Sequence, residues 1–167
     1  MSTSNLYKLY KTKTTEMAKF QNAWGTGPVI WSYLLEVYLK REANSWLFPT
    51  QDSQPLWNLV DNPKVPMPLR IVHAFCFNKT ICPSDKILQL ADACEKTYEI
   101  THLHKEDHIN NWKLITQVLR EKKIDKRCIG IALSCTSISD QWISTNGIQD
   151  IKTFDLFRDF NLNCSNP

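Results

Sequence analysis

Two short runs of alternating side chains predict β-strands in the middle and in the last third of the chain. In residues 69–78 (LRIVHAFCFN) apolar, β-branched and aromatic residues are frequent, and successive residues would fall on two faces. Residues 128–136 (CIGIALSCT) form a second apolar run, in which Gly130 indicates a close backbone approach or a bulge. Alternation of this composition is typical of strands. We therefore expect a small sheet that contains both segments.

Apolar residues at helical spacing predict three helices, at residues 28–42, 84–98 and 108–122. Pro28 suits the first position of the first helix, because its missing N–H would have no partner there. Ser84 is a good N-cap for the second helix. Together with the two strands, these helices predict one α+β domain over residues 1–167, in which three or more helices pack on a short sheet.

The segment 43–68 contains five prolines, a density that excludes a long regular element. We expect only a short helical turn at 55–60. Aromatic residues occur along this loop, and rigid loops present aromatic anchors to a partner at low entropic cost. The candidate partner-binding residues are Trp46, Phe48 and Trp57.

Residues 1–23 carry the excess of positive charge in a chain whose formal net charge is +3. Tyrosines are interleaved with the lysines, and the only acid among the first twenty residues is Glu16. We expect this segment to be weakly helical and mobile, as chain ends often are. A basic arm with aromatic residues is also typical of segments that bind the phosphate backbone of a nucleic acid. The candidate nucleic-acid-binding residues are Lys8, Lys11, Lys13 and Lys19.

Cysteine usage indicates a reducing compartment. The chain has six cysteines, and no two of them have the C-x-x-C spacing of zinc ribbons and thioredoxin-like sites. The first twenty residues lack the apolar core of a secretion signal, and no apolar run is long enough to span a membrane. We therefore expect a cytoplasmic protein with no membrane partner and no bound cofactor.

Cys135 lies where the second predicted strand runs into a loop, a place where sheets often hold active-site residues. A thiol nucleophile there, with His73 of the other predicted strand as general base, would form a dyad for covalent catalysis. The two side chains can meet only if the strands pair in the correct register. The alternative is that Cys135 packs in the core and that His73 is a buried, hydrogen-bonded histidine.

Histidines cluster in the polar connector between the second and third predicted helices. His104 and His108 would lie one turn apart on a helix, a spacing that suits a metal ion. The residues that could complete such a shell are His102, Glu106 and Asp107. The segment has no apolar frame to hold these ligands, and such residues also serve as helix caps, so we expect no bound metal.

The chain has none of the nucleophile-elbow, zinc-protease or kinase signatures, so we expect a non-enzymatic protein-binding module. It would be a small inhibitor or adaptor, of the kind that phages and mobile elements encode as accessory proteins, and it would occlude its partner. Two alternatives stay open: a small enzyme that uses the Cys/His pair or a metal, and a nucleic-acid binder that uses the basic arm. Exposed aromatic residues could also join two copies of the chain.

Overall fold

The chain contains both strands and helices. A computed structural model describes residues 2–43, 45, 52–105, 109–135, 143 and 152–162. Along these residues the elements are β1 (Thr3–Leu9), β2 (Thr14–Gln21), α1 (Gly27–Leu34), α2 (Gln54–Trp57), α3 (Met67–Phe75), β3 (Thr80–Pro83), α4 (Ile87–His104), α5 (Trp112–Glu121), β4 (Gly130–Cys135) and β5 (Phe154–Asp155). A π-helical turn continues α1, and short 3-10 turns lie at Ala23–Gly25, Asn58–Asp61 and Ser84–Lys86.

The strands of the described residues form one mixed, five-stranded sheet in the order β2-β1-β4-β3-β5. β1 pairs antiparallel with both β2 and β4, β4 pairs antiparallel with β3, and β5 runs parallel to β3. The main core lies between this sheet and the helices, and α4 contacts both α3 and α5. The structure confirms the predicted α+β class, with helices packed on a short sheet.

Residues 1–23 contain a β-hairpin, and the predicted weak helix in this segment is wrong. β1 is a central strand, and clusters of apolar side chains pack on both of its faces: Leu6 lies in the main core, and Leu9 packs in a smaller cluster on the other face. The chain reverses at a turn in which the N–H of Tyr10 donates to the carbonyl of Lys13 at 2.9 Å. A bulge interrupts the β1–β2 pairing just after Leu6. The N-terminal residues are therefore part of the sheet.

Residues 69–78 contain a helix, and the predicted strand there is wrong. α3 runs from Met67 to Phe75. Both faces of this segment are apolar, so alternation alone could not separate a strand from a buried helix. Pro68 favours the helix, because proline fits the first helical turn, where its missing N–H needs no partner. All residues from Ile71 to Phe75 are buried, and the sheet position is taken instead by β3.

The second predicted strand, at residues 128–136, is confirmed as β4, and all of its residues are buried. The close backbone approach expected at Gly130 is also confirmed. A Cβ atom at this position would lie 2.5 Å from the carbonyl oxygen of Cys82 on β3. Gly130 therefore lets β3 and β4 lie closer together than a larger residue would allow.

The three predicted helices are confirmed, although their ends differ. The first continues through its π-helical turn and stops at Lys40, whose φ is 54°. The second extends to His104, because Thr101 keeps the last turn packed in the core. The third begins at Trp112, later than expected. The short turn expected at 55–60 is present as α2 and the 3-10 turn that follows it.

A buried polar junction connects the sheet with α1 and α5. Its members are Ser4, Thr26, Asn111 and Trp112. The Thr26 hydroxyl oxygen accepts hydrogen bonds from the Ser4 hydroxyl at 2.9 Å and from the Asn111 amide at 3.2 Å. The Thr26 carbonyl accepts from the indole N–H of Trp112 at 3.1 Å. The Asn111 amide also donates to the carbonyls of Gln21 at 3.2 Å and Asn22 at 3.0 Å. Since these groups are shielded from water, they find their hydrogen bonds within the protein.

His73 lies in α3 and is fully buried. Its Nε2 atom is 3.0 Å from the carbonyl oxygen of Leu56, so we assign the proton to this nitrogen. Burial lowers the pKa of His73 to about 4, although the hydrogen bond to Leu56 acts in the opposite direction. The imidazole is therefore neutral in the folded protein at neutral pH.

Thr26→Val should lower the free energy of unfolding by about 2 kcal/mol, because two buried donors lose the acceptor that they share. Thr26→Ser keeps the hydroxyl and removes only a methyl group, so its cost should be about 1 kcal/mol. Urea denaturation followed by tryptophan fluorescence measures both values. A valine variant as stable as the parent protein would show that the polar junction contributes nothing to stability.

Acidification from pH 6.5 to about pH 4 should destabilise the protein through His73. In this window the unfolded imidazole binds a proton and the folded one does not, so stability rises with pH. The full loss, reached below the folded pKa, is about 3 kcal/mol. Urea denaturation at a series of pH values measures this profile.

The matched variants for this profile are His73→Gln and His102→Gln. Glutamine at position 73 offers an amide donor to the Leu56 carbonyl without a titrating group, so the profile should become flatter. The same change at His102, which is only half-buried, should leave the profile as it is. A profile unaffected by His73→Gln would contradict the prediction.

Candidate functional site

A cleft of about 460 Å³ lies between the start of α1 and the end of α4. Two large apolar side chains on its wall are exposed: Trp24 at 45% and Ile109 at 58% of their surface. We call this cavity the Trp24 cleft. Its other lining residues are Asn22, Pro28, Val29, Ser32, Tyr33, Glu36, Ala43, Thr101, His104 and Lys105.

Backbone hydrogen bonds hold Trp24 on the wall of the cleft. Asn22, with a φ of 60°, ends the hairpin, and its side-chain oxygen accepts from the Trp24 N–H at 3.2 Å. Asparagine tolerates this left-handed conformation better than most residues. The next residue is Gly25, where a Cβ atom would lie 2.8 Å from Cγ2 of Ile109. The Asn111 N–H donates to the Gly25 carbonyl at 2.7 Å, so both walls are tied together.

The charged end of the Trp24 cleft is built around Glu36, which lies in the π-helical turn after α1. One carboxylate oxygen is 2.8 Å from Nε2 of His104, and the other accepts from the Lys105 ammonium at 2.6 Å. The His104 ring also meets the Tyr33 ring edge-on, with 5.1 Å between centroids. These contacts fix three charged or titratable groups at one end of a cavity whose other walls are mainly apolar.

The carboxyl group of Glu36 is charged at neutral pH. Its partial burial raises the pKa, but hydrogen bonds from Lys105 and His104 outweigh this effect, and the pKa lies below its usual value. A carboxylate that already accepts from two donors is a poor general base, because those bonds favour the ionised form without a proton. An apolar wall with a few fixed polar groups suits recognition of a ligand.

Trp57, one of the three predicted anchors, is half-buried within an aromatic cluster. Its ring lies edge-on to Trp31 with 5.3 Å between centroids and stacks on His73 at 5.9 Å. Its indole N–H donates to the Ser53 hydroxyl at 3.3 Å. The exposed side of Trp57 lines a second cleft, of about 430 Å³. The other two predicted anchors, Trp46 and Phe48, lie outside the described residues.

The structure does not provide the strand pairing that the proposed Cys135–His73 dyad required, because His73 lies on α3. Each of the two groups has another partner: His73 Nε2 contacts the Leu56 carbonyl, and the Cys135 sulfur is 3.3 Å from the Ser4 hydroxyl. Burial raises the pKa of the Cys135 thiol, which keeps it protonated. These surroundings resemble those of a buried structural thiol and a buried structural histidine.

The histidines of the proposed metal cluster point to different partners. His102 stacks on Tyr98 with 5.0 Å between ring centroids, whereas His104 binds Glu36. His108, Glu106 and Asp107 lie outside the described residues. Within the described part of the chain, no group of three or more histidine, cysteine or acidic side chains is arranged to hold a metal ion.

The four predicted nucleic-acid-binding lysines are divided by the hairpin. Lys11 and Lys13 lie in the turn between β1 and β2, and Lys8 near the end of β1 donates to the carbonyl of Lys123 at 2.7 Å. Lys19 pairs with Asn5 in the ladder, farther along β2. The turn therefore gathers three of the four lysines and leaves Lys19 apart.

Sequence reasoning did not find Trp24, Ile109 or Glu36 as site residues. Trp24 had a usable signal, because it precedes Gly25 in a glycine-containing turn, and such connecting segments lie on the protein surface. Glu36 had no such signal, because Lys105, which binds it, is far away in the sequence. The two residues meet only because α4 packs beside α1.

Comparisons with known proteins do not place the chain in a family. No family model matches the chain, and neither a curated protein nor a solved structure matches it. Among the helices that the structure describes, none is both long enough and apolar enough to cross a membrane. The geometry of the described residues is therefore the basis for assigning a function.

Proposed function

We propose that this chain is a non-enzymatic protein-binding module that captures an apolar side chain of a partner segment in the Trp24 cleft. The observation that carries the proposal is the exposure of Trp24 and Ile109 on the wall of one cavity. Contiguous apolar surface of this kind marks interaction sites. Tryptophan is favoured at such sites because it combines a large apolar area with one N–H donor.

The size and polarity of the Trp24 cleft favour a short peptide segment as its occupant. A volume of about 460 Å³ accommodates one or two side chains rather than a whole domain. The Lys105 ammonium has three N–H donors, and its bond to Glu36 uses one of them. A segment with an apolar side chain next to an acidic or carbonyl group would satisfy both ends of the cleft.

Trp24 is a better main anchor than Trp57. The ring of Trp57 is packed against Trp31, His73 and Phe77 within the fold, so much of its area is already buried. Trp46 and Phe48 stay predicted anchors. A module of this size would act as an inhibitor or adaptor by covering the partner segment that it binds.

The test is an affinity capture from nuclease-treated lysate of the source cells, with the tagged chain and its variants. The parent protein should retain a protein partner in roughly equimolar amount. Trp24→Ala and Ile109→Ala should each weaken retention about tenfold or more, the effect of losing a residue at the centre of an interface.

Leu88→Ala is the matched control, because Leu88 is 68% exposed and lies on α4 outside the cleft. It should retain the partner as the parent does. Equal thermal unfolding of the variants would show that the fold is intact. Retention by Trp24→Ala at the parent level, or partner capture from untreated lysate that is absent from nuclease-treated lysate, would contradict the proposal.

A further inference from the structure

The hairpin turn and the loop 123–127 bring basic side chains together at one end of the sheet. Lys8 donates to the Lys123 carbonyl, and the Tyr10 hydroxyl donates to the Asp125 carboxylate at 2.8 Å. A cleft of about 460 Å³ lies between the turn and the loop. The residues that we call the basic end are Lys8, Lys11, Lys13, Lys123, Lys126 and Arg127.

Little of this positive charge is neutralised locally. Asp125 forms an ion pair with Arg127, at 3.6 Å from its Nε atom. Within the described part of the chain, Lys11, Lys13 and Lys126 form no ion pair with a carboxylate. The basic end therefore concentrates positive charge in a chain whose net charge is only +3.

We propose that the basic end binds the phosphate backbone of a nucleic acid. Lysines on two sides of a concave cleft can neutralise several phosphates of one strand and release their counterions. A flat membrane surface would touch only the rim of the cleft, so a nucleic-acid strand fits its shape better. This site is separate from the Trp24 cleft, because the length of β2, about 25 Å, lies between the hairpin turn and Asn22.

The aromatic residues near the basic end have other roles in the fold. The ammonium of Lys13 lies over the Tyr10 ring at 5.4 Å from its centroid, and the Tyr10 hydroxyl binds Asp125. The Tyr7 hydroxyl accepts from the Asn5 amide at 3.3 Å. With these rings engaged, contact is made by charge rather than by base stacking, so binding is insensitive to base sequence and steeply dependent on salt.

Fluorescence anisotropy tests this site with labelled oligonucleotides of about 20 residues: single-stranded DNA, single-stranded RNA and duplex DNA, each in two unrelated sequences. The parent protein should bind at about 50 mM salt, lose affinity at least tenfold by about 200 mM, and distinguish poorly between sequences. The three nucleic acids differ in backbone geometry, so their relative affinities identify the preferred form.

The matched variants are Lys11→Gln/Lys126→Gln and Lys19→Gln/Lys64→Gln, which remove the same charge from exposed positions. The first pair should weaken binding at least tenfold and lower the slope of log Kd against log salt by about 2, roughly one unit per lost phosphate contact. The second pair lies outside the basic end and should change affinity less than threefold, a smaller effect than loss of a phosphate contact. Circular dichroism checks that both pairs fold.

Three results would overturn the proposal: no binding of any oligonucleotide at low salt, equal weakening by both variant pairs, or binding to vesicles of anionic lipid in preference to all three nucleic acids. Because Trp24→Ala leaves the basic end untouched, loss of nucleic-acid binding and loss of the protein partner are separable. Either proposal can fail without the other.

Discussion

The buried hydroxyl of Thr26 is the contact on which the arrangement of the rest depends. It accepts from Ser4 on β1 and from Asn111 at the start of α5, while the carbonyl of the same residue accepts from Trp112. One residue thus joins the first strand, the N-terminus of α1 and the last described helix. Hydrogen bonds between buried groups have strict geometry, whereas apolar packing tolerates shifts. The junction therefore sets where α1 and α5 lie on the sheet, and with them the walls of the Trp24 cleft.

The β1–β2 hairpin separates the two candidate binding surfaces. Its open end leads into the turn that carries Trp24, and its closed end carries Lys11 and Lys13. One surface is apolar with a charged end, and the other is basic and concave, so they suit ligands of different chemistry. A protein that holds two such surfaces about 25 Å apart on one rigid element can bring a protein segment and a phosphate backbone into a defined relation. Strands suit this task because they are rigid and keep the distance between the two surfaces constant.

Local patterns predicted the elements that have a clear apolar spacing and turn residues at their ends. The helix at 28–42 and the strand at 128–136 follow from spacing and from the turn residues beside them. The segment 69–78 was misjudged because a helix buried on most sides and a buried strand have the same apolar composition. β1 was missed because it carries buried polar residues such as Ser4, whose hydrogen-bond partner Thr26 is distant in the sequence, so the segment looks exposed. The candidate site was less predictable still. Of the predicted site residues, Trp57 lines one cleft and Lys11 and Lys13 line another, whereas contacts such as that of Glu36 with Lys105 depend on how distant helices pack.

The bulge after Leu6 has a consequence for how this molecule behaves in concentrated solution. β2 is one of the two outer strands of the described sheet, and an outer strand with free backbone groups is a template for fibre growth. The bulge disturbs the regular twist of this edge, and Glu16 and Lys19 are exposed along it. A second copy that extended the sheet would meet an irregular ladder and would lie against these charged side chains. The hairpin that carries the two candidate surfaces is in this way also protected against aggregation through its own edge.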